Sequence, residues 1–304
     1  MQTLTRQQLG LLIVLTLIWG INWPIMKLGV TGFPPLTFRA LSIWLGLPVM
    51  ALGMRFMRMP FRVPREHWRE LCMLSVTNVL VWQTLMILAL TSLSSGRAAI
   101  LGYTMPIFSA VIGVLWFGDR LVARGWLGVA AAAIGVLLLL WHELTNLAGR
   151  PLGVLLALIA AAVWALGTRQ LRETRMKVPT MTLSFWMVAL TGAVMALFAV
   201  LFERTQWHWP SPASQGAILF NAVLIFGVAQ TIWLMLARGL PPVASTLSVM
   251  FIPVLGVFSG AWWLGETLHW QDWTAVSLMV VAIGSVLLPS RAASDRSSAP
   301  GKTP

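Results

Sequence analysis

Runs of about 20 mostly apolar residues follow one another almost from end to end of this chain, with only short gaps between them. No other feature constrains the fold as much. A helix of that length crosses the hydrocarbon layer of a bilayer, and it satisfies its backbone hydrogen bonds internally, which lipid demands. The charged residues that would clothe a soluble domain are missing: 10% of the 304 residues are charged and 58% are hydrophobic, against roughly 25% charged in soluble domains. The chain therefore reads as an all-α integral membrane protein. Its first run, Leu9 to Val30, is too long for a signal-peptide core and lacks a small-residue cleavage site, so it reads as a spanning helix.

Ten spans are expected, near residues 9–29, 34–54, 71–91, 96–117, 123–141, 151–171, 180–202, 214–237, 242–264 and 271–289. The closest divisions rest on the turn residues of "TSLSSGR" at 91–97 and "ARGLPP" at 237–242. The net charge of +12 is not a nucleic-acid footprint, because the cations sit in the gaps between apolar runs. With the N-terminus inside, 16 of the 21 Lys and Arg residues fall on the inner side, including Arg55, Arg58, Arg62, Arg65, Arg69, Arg169, Arg172, Arg175, Arg238 and the tail cations. Lys27, Arg39, Arg97, Arg150 and Arg204 fall on the outer side. Cytoplasmic loops carry the excess of Lys and Arg, so both termini are expected in the cytoplasm. The Ser-, Ala- and Pro-rich tail, residues 291–304, reads as disordered.

"VWQT" at 81–84 returns as "VAQT" at 228–231, an offset of 147. Held without gaps over residues 81–126, this offset gives ten identities in 46 positions, among them Gln83/Gln230, Pro106/Pro253, Gly113/Gly260, Trp116/Trp263, Gly118/Gly265 and Trp126/Trp273. "AAIG" at 132–135 and "VAIG" at 281–284 follow nearly in register. The chain reads as two five-span units, residues 1–147 and 148–290, with the tail after them. Five is odd, so the second copy must lie inverted in the membrane. Inverted repeats are a transporter architecture, with the substrate site near the midplane between the copies.

"LTLIWGINWPIMK", "PPLTFRAL", "YTMPIFSAVIGVLWFGDRL" and "FIPVLGVFSGAWWLGETLHW" resemble the EamA-type drug/metabolite transporter superfamily over about residues 9–289. The mid-span Pro followed by an apolar stretch and Gly-Asp/Glu is the most specific part. The resemblance implies a ten-helix fold and efflux of small metabolites. Within that superfamily, the length and the 17 tryptophans are similar to bacterial exporters of aromatic amino acids and related drugs. The implied location is the bacterial inner membrane.

The nine acids all fall in loops or at span ends. A carrier driven by an intramembrane carboxylate would keep one near the midplane, so a facilitator running down its gradient is expected. Coupling through a span-end acid, Glu266 or Asp119, stays open. The polar groups inside the spans are mostly neutral: Asn22, Asn78, Gln83, Tyr103, Asn221 and Gln230. Each either bonds a neighbouring helix or lines a cavity. Trp68, Trp126, Trp207, Trp209, Trp270 and Trp273 suit the interfacial belt, whereas Trp19, Trp82, Trp164, Trp186 and Trp233 fall deeper.

The candidate substrate-binding set is therefore Trp19, Asn78, Trp82, Gln83, Tyr103, Trp164, Trp186 and Gln230, suited to a flat cargo held by stacking and cation–π contact. Trp19 and Trp164 also match a Trp that the family's repeat pattern places late in the first span of each copy. Lys27, Arg39 and Arg97 read first as snorkelling or structural cations, with a grip on a substrate carboxylate as the alternative. Arg39 matches the Arg of the family's second-span motif, which supports the structural reading. Pro106 and Pro253, at equivalent sites, are candidate hinges. The Ala- and Gly-rich spans five and ten could pack within the fold or across a dimer; a monomer is favoured.

Cys72 is the only cysteine, and no His, Cys and carboxylate cluster suggests a metal, a cofactor or an enzyme. The expected function is export of amino acids, aromatic or hydrophobic ones first, by alternating access. The rival is proton-coupled export of cationic or lipophilic drugs.

Overall fold

The computed structural model describes residues 6–118, 123–145, 151–230, 232 and 242–287. Asp119, Arg120, Arg150, Trp233, Arg238, the rest of the turn at 237–241 and the tail lie outside the described residues. Those described form helices and short connections, with no strand. Ten helical elements follow in order: α1 (Arg6–Val30), α2 (Pro35–Phe56), α3 (Arg65–Ser92), α4 (Ser95–Phe117), α5 (Ala123–Thr145), α6 (Pro151–Glu173), α7 (Thr180–Gln206), α8 (Pro212–Ala229), α9 (Pro242–Leu264) and α10 (Trp270–Leu287). Seven of them (α1–α4 and α6–α8) are long and apolar enough to cross a membrane; α5 and α9 contain shorter apolar stretches, Gly125–Leu138 and Phe251–Leu264. Leu52, Leu115, Trp116, Leu137, Leu155, Leu201 and Trp262 are among many large apolar side chains left exposed. On a water-soluble protein such a surface would be a liability; here it is the face turned to lipid.

The principal contacts keep their form when each of the first five helices is exchanged with its counterpart five places on. α1 packs on α9 and α4 on α6; α1 packs on α8 and α3 on α6; α2 packs on α8 and α3 on α7. Counterparts also pack on one another, as α2–α7, α4–α9 and α5–α10. Small residues make the last contact close. A Cβ on Gly135 of α5 would lie 3.6 Å from the Cα of Ala275 in α10, and Ala132 and Ala282 are buried. The Ala- and Gly-rich stripes are thus spent within one chain.

Local features repeat as well. Gly118 and Gly265 follow the last turns of α4 and α9 with φ of 68° and 63°. That left-handed conformation ends helices and favours glycine, which explains the Gly before each acid. Pro34 and Pro179 stand at the N-caps of α2 and α7. α3 and α8 both widen into π-helical turns, at Val76–Leu80 and Asn221–Ala229. In each, an asparagine amide donates to the carbonyl four residues earlier, Asn78 to Leu74 at 3.1 Å and Asn221 to Ala217 at 3.0 Å. At Asn221 the backbone N–H donates to the Ala217 carbonyl as well, so the side chain adds a second donor where the π turn begins.

Candidate functional site: an aromatic cluster at a broken helix

α4 is interrupted at Tyr103 and Thr104, between the helical stretches Ser95–Gly102 and Met105–Phe117. Pro106 accounts for the break: it has no N–H for the carbonyl four residues earlier, that of Gly102, and its ring crowds that turn. The chain closes the first stretch with Tyr103 N–H donating to the Ala99 carbonyl at 3.0 Å and Thr104 N–H to Leu101 at 3.2 Å. The Thr104 hydroxyl adds a bond to the Leu101 carbonyl at 2.6 Å.

Aromatic side chains from four helices converge on this break. Trp23 of α1 meets Tyr103 edge-on, with ring centroids 6.4 Å apart. Trp82 of α3 meets Trp164 of α6 at 6.2 Å. Gly102 joins the two pairs: a Cβ there would lie 3.0 Å from the Trp23 ring, 3.1 Å from the Trp82 ring and 3.2 Å from Met86. α6 comes close enough to deliver Trp164 because Gly167 rides directly on the backbone of the π turn in α3. A Cβ on Gly167 would lie 2.7 Å from the Thr77 carbonyl oxygen and 2.9 Å from the Asn78 nitrogen.

Of the candidate residues, Trp82, Tyr103 and Trp164 therefore meet, and Trp19 packs at the edge of the same core. Gln83 and Gln230 are half-buried. Asn78 is buried and serves the π turn through its amide nitrogen. Trp186 packs elsewhere, edge-on to Trp68 at 5.2 Å, with its indole donating to the Phe61 carbonyl at 2.7 Å. Trp23 was not among the candidates, although it sits one helical turn after Trp19 and is only 4% exposed. The four-residue spacing of the two indoles was the available signal. Pro253, the counterpart of Pro106, lies inside the unbroken α9.

The candidate cations have separate fates. Lys27 donates to the carbonyls of Leu90 and Leu93 at 2.7 and 2.8 Å, closing the C-terminal end of α3. Arg97 pairs with Asp272 at 2.8 Å. Arg39 does not snorkel: it is 2% exposed and packs among α1, α2 and α8.

Three of the acids hold helix ends together. Glu203 accepts from the backbone N–H groups of Leu36 and Thr37 at 2.9 and 2.7 Å, at the start of α2. Glu266 accepts from Ser95 and Gly96 N–H at 2.6 and 3.3 Å, at the start of α4. Asp272 also accepts from His269 N–H at 2.9 Å, at the start of α10. Carboxylates suit these positions because helix N-termini present unpaired N–H groups and a partial positive charge. No group of three or more metal-ligating side chains occurs among the described residues.

The family model for EamA-like transporters matches residues 8–141 and 151–288. The chain belongs to the EamA-like transporter family. It is accordingly a multi-pass membrane protein. Among curated relatives, it is 26% identical to the uncharacterized transporter YoaV of Bacillus subtilis (strain 168), over 86% of this chain and 89% of that one. It is 25% identical to the uncharacterized inner membrane transporter YedA of Escherichia coli (strain K12), over 93% and 92%. It is also 25% identical to a probable amino-acid metabolite efflux pump of the same strain, over 92% and 94%. A solved crystal structure at 20% identity matches 94% of this chain and 98% of its own with a TM-score of 0.66, which shows a shared fold.

Proposed function

We propose that this EamA-like transporter exports amino acids, aromatic or hydrophobic ones first, across the bacterial inner membrane. It does so as a facilitator that alternates between inward- and outward-open forms. The observation that carries the reading is the convergence of Trp23, Trp82, Tyr103 and Trp164 on the break in α4. Three indoles and a phenol offer faces for a ring to stack on. The Gly102 carbonyl, deprived of a helix donor by Pro106, is an acceptor for an ammonium group. Broken helices with released backbone groups are how transporters build polar sites at membrane depth.

The fold is two inverted five-helix copies making ten spans, with both termini in the cytoplasm. The exchange-invariant contacts and the paired glycines, prolines and π turns support that organisation. A relative named as an amino-acid metabolite efflux pump supports the cargo class. Glu203, Glu266 and Asp272 already hold helix ends, which favours uniport over proton coupling.

The deciding experiment is uptake of labelled phenylalanine by proteoliposomes containing the purified protein. Uptake above empty liposomes is expected with no ion gradient. Uptake that appears only with a pH gradient would replace uniport with proton coupling. No uptake of amino acids under either condition, with uptake of a cationic dye, would favour the drug-export reading.

A further inference from the structure

Among the described residues three charged side chains are buried: Arg39, Glu203 and Asp272. Two of them are answered, Asp272 by the opposite charge of Arg97 and Glu203 by the N–H groups and partial positive charge of the N-terminus of α2. Arg39 has no carboxylate partner among the described residues. One terminal nitrogen donates to Asn221 Oδ1 at 3.2 Å, the other meets Met26 Sδ at 2.8 Å, and Nε is buried without a partner. The rings of Phe38 and Phe226 lie 5.7 and 5.9 Å from its Cζ. Neutral contacts of this kind orient a guanidinium without balancing its charge. A charge inside the membrane is expensive, and such groups mark the path of a substrate or ion.

Its surroundings point to the missing partner. Asn22 lies one turn before Met26 on the same face of α1, and its Oδ1 is also buried without a partner. An amide can turn its N–H outward as readily as its oxygen. Trp23, the next residue, belongs to the aromatic cluster. Met26, which meets the guanidinium, stands three residues after Trp23 on α1, about 4.5 Å further along the helix axis. The guanidinium's fork suits a carboxylate bidentately.

We infer that Arg39, flanked by Asn22 and Asn221, is the counter-charge for a carboxylate on the cargo. It is the residue that makes the transporter prefer α-amino acids over the corresponding amines. The placement of the cargo ring rests on reading the aromatic cluster as the transport site; the charge argument does not.

The test uses the full chain in detergent and in proteoliposomes, with phenylalanine, phenethylamine and leucine as probes. Phenylalanine should stabilise the wild type against heat more than phenethylamine does, and should be carried at least tenfold faster. Arg39→Gln should lose at least tenfold in phenylalanine transport, with phenethylamine transport kept, so that the ratio of the two collapses. Arg39→Lys should restore part of that ratio, and Asn22→Ala should lower it several-fold. A purely structural Arg39 would lower both substrates together, and that result overturns the inference. Where Arg39→Gln does not fold, unchanged ratios in Arg39→Lys and Asn22→Ala overturn it equally. Leucine stabilising the wild type but not Arg39→Gln, with no response to phenylalanine, would sink the aromatic reading and uphold the carboxylate assignment. No response of the wild type to either amino acid sinks both.

Discussion

At the scale of single residues, two tryptophans that look alike in the sequence do different work. Trp82 and Trp186 both lie inside spans, and both were candidates for binding. Trp82 faces Trp164 beside the break in α4, whereas Trp186 spends its indole N–H on the Phe61 carbonyl and its ring on Trp68. Depth was legible from position along a span; which neighbour each ring meets depends on helix rotation, which so uniformly apolar a chain does not reveal. Trp23 shows the same limit, because its place near a span end concealed its burial. Trp82→Ala and Trp164→Ala are each expected to cut phenylalanine transport at least tenfold in proteoliposomes. Trp186→Ala should leave transport within about twofold and lower thermal stability in detergent, by about 1–3 kcal/mol, as lost packing and a lost hydrogen bond do. Equal transport losses in all three would mean that the cluster is packing and not a site.

At the scale of helices, the repeat was the most legible feature, because Pro, Gly and Trp matches stand out where Leu and Ala matches do not. Its glycines proved equivalent in conformation, with both Gly118 and Gly265 at positive φ. Its prolines did not prove equivalent in effect. Pro106 follows a break, while Pro253 sits in a continuous α9 and is buried. The π turns could not be read at all, since no residue pattern announces one. This asymmetry sharpens the hinge proposal. Pro106→Ala restores the donor for the Gly102 carbonyl and lets α4 run straight through the cluster. It should slow transport at least fivefold, with the larger part of the loss in the maximal rate. Pro253→Ala, in a helix that already runs on past its proline, should cost less than half of that loss on a logarithmic scale. Equal effects would restore the symmetric-hinge picture, and no effect of Pro106→Ala would remove α4 as a moving part.

At the scale of the molecule, the two halves are sewn together differently at the two ends of the bundle. At the end carrying the α3–α4 and α9–α10 connections, Glu203, Glu266 and Asp272 of the second half bond Thr37, Ser95 and Arg97 of the first. At the other end the crossings include Thr182 to the Pro60 carbonyl, Trp186 to the Phe61 carbonyl, Thr77 to Gln170 and Thr174 to Glu70. In the proposed orientation, with both termini in the cytoplasm, the carboxylate end faces outside. A cysteine at His208, whose ring nitrogen lies 2.9 Å from the Gly32 carbonyl at that end, should therefore react with a membrane-impermeant maleimide on intact cells in a Cys72→Ser background. A cysteine at Arg62 should not, and the reverse pattern would invert the whole orientation. In that orientation the three carboxylates would form the outer closure, which the proposed alternating access would have to part. Glu266→Gln keeps the shape but puts an NH2 where one of the Ser95 or Gly96 N–H groups needs an acceptor. The closed form should lose the charge-assisted bonds, and the equilibrium should move toward the outward-open form. A cysteine at Thr104, which is 2% exposed at the break, should then react with external maleimide several-fold faster than in the parent. If its reactivity is unchanged while transport falls, Glu266 is a fixed cap on α4 and the opening lies elsewhere.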